Sequence, residues 1–594
     1  MEEHIIARAK AWIESPFIED GDRQIVQRYL DDDDRPKLKE CFHRELSFGT
    51  GGMRALIGPG TNKINRYTVS RVSQAFACAL ADHFHGDISL CIGFDCRKNS
   101  ELFAREAARV MAANGVRVHL FDHMVPTPIL SYAVRYFKAQ GGIMVTASHN
   151  PKDYNGLKAY WDDGCQVTPP NDEAIIAHYQ KLNSLAPIKQ ADFQKALGDG
   201  QISLIEKDCE DSYYEMLASQ CLTPDLCQEH GPTFPMAFTP LHGTGWGPVK
   251  RALAQIGFTN VHPVAEQTAP DENFPTVNPP NPEERAALEK VMALMEEVKA
   301  KIALATDPDT DRLGVVVRHR DKLWVLNGNQ IALLMLHYIL EIKRERKMIK
   351  ENSLLIKTIV TSDLLAQVAE SFGLIVENTL TGFKWICGKM REYEEQGKPF
   401  DFILGTEESF GYLSHDFCRD KDGLNACALM AEAALYHHTQ GKTLMEALDS
   451  IYDRYGYSWE SLLSLYYEGA RGAEKIERIM DYFRHIKKNL PDLIKADAND
   501  RDDPIVAIED YLQGEIIHLT SNEQTKLNLP KSNVLGLLFE SGNKLYLRPS
   551  GTEPKIKFYT MVIEKEGALE DKKRRARKKA QDLEYFIREK CEFI

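Results

Sequence analysis

Four polar stretches of the 594-residue chain hold residue types spaced for chemistry. Residues 307–312 read DPDTDR, setting Asp307, Asp309 and Asp311 at every second position between two apolar runs. Carboxylate oxygens are hard ligands and suit Mg2+, which takes octahedral oxygen coordination completed by phosphate or water. A calcium loop of the EF-hand type is excluded, because Arg312 stands where that loop needs glycine and Arg318 where it needs its bidentate glutamate. The plainer alternative is an acidic hairpin turn; the regular spacing and the arginine that follows favour the cation. Residues 144–160 read MVTASHNPKDYNGLKAY, an apolar run that ends in Ser148-His149-Asn150-Pro151. No GxSxG elbow surrounds Ser148, and His149, its chain neighbour, is expected to point away, so acyl transfer is a poor reading. A serine beside a magnesium site can instead carry a phosphoryl group, with the cation neutralising the transferring oxygens. The turn residues then free the hydroxyl from the sheet.

The third stretch, RPSGTEPKIKFY, places Arg548, Ser550, Thr552, Lys555 and Lys557 around a Pro-Ser-Gly turn. Arginine grips phosphate bidentately, and Gly551 lets backbone N–H groups approach the anion, so this turn suits a phosphate that is not reacting. The fourth, TEESFG, supplies Glu407, Glu408 and Ser409 as acceptors for sugar hydroxyls, unless Glu408 only braces its loop. A metal-dependent phosphatase would share the metal and the nucleophile but needs no distal clamp. A non-catalytic sugar-phosphate sensor would tolerate loss of Ser148 or of a metal aspartate.

Loops of this kind need strand ends to hold them. One pattern occurs three times: ISLCIGFD, SELFAREAARVMAANG, VRVHLFD; FPMAFTPLHG, GWGPVKRALAQIG, FTNVHPVA; LLIKTIVTS, DLLAQVAESFG, LIVENTL. Each is strand, helix closed by glycine, strand, with the apolar spacing switching from strand-like to helical and back; in the first, Ser100 is expected as helix cap and Gly115 as stop. Such βαβ units predict right-handed crossovers in largely parallel sheets, and each is followed by an apolar strand ending in one of the polar loops. The fold class expected is α/β: three similar mixed α/β domains with βαβ units plus a smaller C-terminal α+β domain, around a central cleft. The expected boundaries are an N-terminal helical extension at 1–44 (helices near 2–14 and 22–40), a phosphoserine domain at 45–205, a metal-binding domain at 206–326 and a sugar-binding domain at 327–456. A C-terminal phosphate-binding domain with linker helices follows at 457–594.

The bulk numbers narrow the class. A net charge of -14 argues against a nucleic-acid partner without forbidding a local cationic pocket. The run KKRRARKK at 572–579 is read as a solvated helix face. The 12 cysteines show no CxxC pair and no finger spacing, so pairs such as Cys91/Cys96 and Cys221/Cys227 are read as scattered reduced thiols. No secretory signal opens the sequence, and no apolar stretch approaches the ~18 residues of a membrane span, so the expectation is a cytoplasmic protein without membrane contact.

At this point FGTGGMRA at 48–55, TASHNP, DPDTDR, TGFKW at 381–385, GTEESFG, RDKDG at 419–423 and RPSGTEP, in this order, identify a resemblance to the α-D-phosphohexomutase superfamily. Within it the chain resembles the phosphoglucomutase branch that includes phosphopentomutase-active members, over nearly everything from about residue 45 onward. The resemblance implies that Ser148 is a phosphoserine and that Asp307, Asp309 and Asp311 hold Mg2+ together with a serine phosphate oxygen. It further implies that Glu407 and Ser409 hold sugar hydroxyls, and that Arg548, Ser550, Gly551, Thr552 and Lys557 clamp the distal phosphate. Arg54, Arg312, Thr381, Gly382 and Lys421 would contact the bisphosphorylated sugar. Lys158 and Arg54 match positions proposed for proton transfer; Lys158 is the better base if its pKa is lowered, and His149 orients the serine loop. Asp95 and Arg97 are read as structural support. The implied activity is interconversion of glucose 1-phosphate and glucose 6-phosphate through glucose 1,6-bisphosphate as primer and intermediate. Phosphopentomutase or phosphomannomutase activity, and glucose 1,6-bisphosphate synthesis, are the alternatives. One departure is Gly51, where many hexomutases have serine or alanine.

Overall fold

The computed structural model describes residues 2–48, 52–182, 184–467, 469–485, 503–550 and 555–594. The chain divides into two compact units. The first comprises Met1–Ile331, Phe383–Gly405 and Ser409–Thr443; the second comprises Ala332–Gly382, Thr406–Glu408 and Leu444–Ile594.

The first unit holds two sheets. In the six-stranded sheet the strands run Gly52–Leu56, Tyr154–Trp161, Gly141–Val145, Ser89–Phe94, Arg117–Leu120, Ile202–Leu204 from edge to edge. The last four are mutually parallel, as βαβ crossovers require, while Tyr154–Trp161 runs antiparallel to both its neighbours. The five-stranded sheet has the order Lys322–Leu326, Leu313–His319, Ile302–Thr306, Met236–Thr239, Val261–Pro263. There too the predicted βαβ strands pair in parallel, and the two strands flanking DPDTDR form an antiparallel hairpin. Strands Gly141–Val145 and Ile302–Thr306 are buried along their whole length, so the loops at their ends start from rigid platforms.

In the second unit Ser353–Thr358 and Ile375–Thr379 make the third parallel pair. A seven-stranded antiparallel sheet follows, in which Lys544–Pro549 and Lys555–Glu564 are neighbours, and the chain closes with helix Leu569–Phe593. The basic run on that helix is more engaged than a solvated face. Arg575 and Lys579 each pair with Glu564 at 2.8 Å, Lys573 pairs with Asp449 at 3.0 Å, and buried Lys572 donates to the carbonyl of Asp453.

Two local expectations are corrected. The N-terminal extension has three helices, Glu2–Glu14, Asp20–Asp31 and Arg35–Phe42, because Asp34 caps a new helix with Pro36 in its first turn. Their apolar faces share a small core of Ile5, Ala9, Val26, Leu38, Cys41 and Phe42. Trp12 packs edge-on to Tyr67, and the Tyr67 hydroxyl accepts from Glu19 N and donates to Asp22. Second, Ser100 is the first helical residue and not the cap; its hydroxyl donates to Asp95 at 2.8 Å, and the cap position falls to Asn99.

Candidate active site

The serine loop is built by backbone strain and one arginine. Ser148, 2% exposed, takes φ +51°, a left-handed conformation that lifts its side chain out of the strand direction. Its amide donates to Thr146 Oγ1 at 2.8 Å. The Arg97 guanidinium, buried at the end of strand Ser89–Phe94, donates to the carbonyls of Ser148 (2.5 Å), Asn150, Pro151 (2.9 Å) and Tyr154 (3.0 Å). Arg97 therefore clamps the whole turn. The same turn brings His149 Nδ1 to 3.2 Å from Ser148 Oγ, contrary to the expectation that a chain neighbour points away. Burial, then Arg312 and Arg54, push the His149 pKa well below its ordinary value, so the imidazole is neutral.

The three aspartates of DPDTDR are buried and converge on this hydroxyl. Ser148 Oγ donates to Asp307 Oδ2 at 2.6 Å, and Asp307 Oδ1 accepts from the amides of Asp311 (3.1 Å) and Arg312 (3.0 Å). The loop is pinned from outside: Thr244 N and Oγ1 donate to Pro308 O at 2.9 and 3.0 Å. A Cβ on Gly243 would lie 2.3 Å from Pro308 Cα, so glycine is required for that approach. Asp309 Oδ2 accepts from Thr127 Oγ1 at 2.9 Å. Lys158 Nζ bridges Asp309 Oδ2 and Asp311 Oδ2, each at 2.8 Å, and Lys421 Nζ lies 3.2 Å from Asp311 Oδ2.

The electrostatics follow from that packing. Burial and the two neighbouring carboxylates push Asp307 well above the usual carboxylate range. Burial acts on Asp311 too, but Lys158, Lys421 and Arg312 outweigh it and hold it low. Asp309 is likewise lowered, with Lys158 outweighing burial and Asp311. For Lys158 burial alone would depress the ammonium; Asp309 and Asp311 overcome it, and the pKa is raised. A lowered lysine pKa was the condition for a base; beside these two carboxylates Lys158 is instead a charged bridge between them. Asp309 Oδ1 and Asp311 Oδ1 are buried without a hydrogen-bond partner among the described residues, and one oxygen of each aspartate lies within 4.8 Å of the others. Orphaned buried carboxylate oxygens facing one another fit a metal ion.

The remaining sequence candidates are distributed as follows. Arg54, exposed on strand Gly52–Leu56, donates to Asn150 Oδ1 at 2.7 Å, joining it to the serine loop. Residues 49–51 of its motif, including Gly51, lie outside the described residues. The Arg312 guanidinium pairs with Glu283. Ser409 is half-buried on the loop before strand Gly411–Leu413. In the second unit, Thr381 Oγ1 is buried with no hydrogen-bond partner among the described residues, and Gly382 takes φ +118°. Glu407 is buried; Glu408 accepts from Thr358 Oγ1 at 3.2 Å and is pushed up to about 7 by burial and by Glu407, against the pull of Lys557. Arg548 and Lys557 are cross-strand partners, and Ser550 N donates to Lys555 O at 2.8 Å. The second unit thus gathers Glu408, Arg548 and Lys557 at one sheet end. Gly551 and Thr552 lie outside the described residues.

Sequence reasoning missed Thr127, Asn150 and Glu283, and undervalued Arg97. The usable signals were a charged residue directly after a buried strand and a hydroxyl in Pro126-Thr127-Pro128 at a helix start.

Comparison with known proteins agrees with this architecture. Residues 45–186, 211–321 and 327–455 match phosphoglucomutase/phosphomannomutase α/β/α domains I, II and III. A phosphoglucomutase of Staphylococcus saprophyticus is 34% identical over 547 residues, covering 91% of this chain and 95% of the relative. One of Staphylococcus aureus is 33% identical, covering 92% and 95%. Parafusin, a phosphoglucomutase from Paramecium in its open form, shares the fold with TM-score 0.63 at 18% identity, over 88% of this chain and 92% of that one. With three consecutive domain matches and a relative aligned along nearly its whole length, the chain belongs to the phosphoglucomutase/phosphomannomutase family of enzymes, within the α-D-phosphohexomutase superfamily.

Proposed function

We propose that the protein interconverts glucose 1-phosphate and glucose 6-phosphate, with Ser148 as the phosphoryl carrier and glucose 1,6-bisphosphate as intermediate. The observation that carries this reading is the 2.6 Å hydrogen bond from Ser148 Oγ to Asp307 Oδ2 within the three-aspartate cluster. Mg2+ held by Asp307, Asp309 and Asp311 would neutralise negative charge on the transferring phosphoryl oxygens. Phosphorylated Ser148 would give its phosphoryl group to the free sugar oxygen, forming the bisphosphate, and would be restored by the phosphoryl group at the other end of the sugar. Lys158 would contribute charge at the reacting phosphate, and neutral His149 and Arg97 would hold the serine loop. Lys421, Arg312 and Arg54 would meet the sugar phosphate; Glu407 and Ser409 would accept from sugar hydroxyls. Arg548, Ser550 and Lys557 would hold the phosphate that is not reacting, the role also proposed for Gly551 and Thr552.

Purified protein with Mg2+ and a trace of glucose 1,6-bisphosphate should convert glucose 1-phosphate to glucose 6-phosphate, with higher kcat/KM than on mannose or ribose 1-phosphate. Equal or better rates on ribose 1-phosphate would overturn the hexose assignment. Ser148→Ala should abolish turnover while substrate still binds, and substantial residual turnover would reject the phosphoserine.

A further inference from the structure

Away from the active site, two thiols and a carboxylate converge where sequence spacing shows no metal motif. Cys221 lies just after helix Lys207–Ala218, Cys227 within helix Pro224–His230, and Glu432 on helix Gly423–Thr439. All three belong to the first unit, and only its fold assembles them. The two sulfurs are 3.9 Å apart, and Cys221 Sγ is 3.4 Å from Glu432 Oε1. The three ligand atoms all lie within 4.8 Å of one another. Both cysteines are free; Cys227 and Glu432 are buried, and half-buried Cys221 leaves an approach from solvent.

The spacings match those a soft-metal site requires. A tetrahedral Zn2+ with Zn–S bonds of about 2.3 Å and a Zn–O bond of about 2.0 Å sets a sulfur–sulfur edge of about 3.8 Å and a sulfur–oxygen edge of about 3.5 Å. Thr223 N and Thr223 Oγ1 both donate to the same Glu432 Oε1, the hydroxyl at 2.8 Å, and hold the carboxylate in place. Outer hydrogen bonds of this kind fix a ligating carboxylate. A disulfide would bring the sulfurs to about 2.05 Å, so at the observed separation they stand as two thiols.

We infer that Cys221, Cys227 and Glu432 bind a thiophilic divalent cation of the zinc class, with water completing the coordination. Binding converts both thiols to thiolates and releases two protons to solvent. The site ties the 221–227 segment to helix Gly423–Thr439 and is chemically separate from the oxygen-only cluster at Asp307, Asp309 and Asp311.

The test is a Co2+ titration of the reduced, chelator-treated full chain in saturating Mg2+. One equivalent should bind with a sulfur-to-cobalt charge-transfer band and tetrahedral d–d absorption, both displaced by Zn2+ and neither by excess Mg2+. Cys221→Ser, at the most accessible of the three positions, should weaken Co2+ binding by more than about tenfold and reduce the charge-transfer band, with mutase turnover in Mg2+ unchanged. Glu432→Gln should weaken binding while leaving the sulfur band. Absence of a sulfur-to-cobalt band in the unaltered chain, an undiminished band in Cys221→Ser, or a Cys221–Cys227 disulfide in protein purified without oxygen would each overturn the inference. Loss of mutase turnover in every preparation would bear on the proposed function alone.

Discussion

Replacing Arg97 with lysine tests whether the serine loop is held by geometry or merely by charge. Arg97 donates to four carbonyls of residues 148–154 from its two terminal nitrogens, and its Nε lies 3.6 Å from Asp95 Oδ2. An ammonium keeps the charge but offers three donors on a single atom, so at least one carbonyl loses its partner and the planar fork is gone. A hydrogen bond to a charged group contributes about 1.5–3 kcal/mol, and 1.36 kcal/mol corresponds to a factor of ten. Arg97→Lys should therefore lower kcat about ten- to a hundredfold, the scale of loss expected when a reacting group is misplaced by ~1 Å. KM should change little, because the Arg97 guanidinium is spent on the loop and does not reach the sugar. Steady-state kinetics give the split, and intact-mass measurement of phosphoserine after incubation with glucose 1,6-bisphosphate gives an independent readout of loading. A variant with kcat within threefold of the parent, fully phosphorylated at the parental rate, would refute the clamp.

Other outcomes follow from the same geometry. Lys158→Met removes the ammonium that pairs with Asp309 and Asp311, so the metal-free protein should lose about 3–5 kcal/mol in the denaturation of its first unit. Mg2+ should restore much of that loss and bind more tightly than to the parent by calorimetry; equal stability in chelator would sink the bridge. Gly243→Ala forces a carbon against Pro308 and should weaken Mg2+ binding while leaving the second unit's unfolding transition in place. Glu408 has its pKa raised from 4.5 to about 7, so the folded chain binds the proton more tightly than the unfolded one. Its contribution to stability is present below about pH 4.5 and is lost as the pH rises through about 7. Glu408→Gln should flatten that part of the stability–pH curve, and an unchanged slope would refute the assignment.

Much of the fold was legible because hydrophobic period changes with element type. Three strand–helix–strand repeats in the sequence became three parallel strand pairs, and the hairpin around DPDTDR formed where two apolar runs flank an acidic turn. What failed was local chemistry that competes with pattern. Asp34 starts a new helix inside what periodicity treats as one, and Ser100 spends its hydroxyl on Asp95 instead of on a helix end. The convergence of Ser148 with Asp307, Asp309 and Asp311 agrees with the reading of their types and spacing, while the charges around them were not legible in sequence. The two carboxylates that Lys158 bridges lie more than 150 positions away, so sequence spacing does not show the pairing that raises its pKa. The convergence of Cys221 and Glu432, separated by 211 residues, leaves no trace in sequence spacing.

The Tyr67 hydroxyl changes how the amino-terminal segment is understood. It belongs to the first long helix of the catalytic scaffold, yet both its hydrogen-bond partners, Glu19 and Asp22, come from outside the span that matches the family domains. The scaffold has delegated the solvation of that phenol to an appendage, and Trp12 covers the ring. Appendage and phenol are therefore coupled: Tyr67→Phe would strip Glu19 N and Asp22 of their shared partner and loosen the three helices from the scaffold helix.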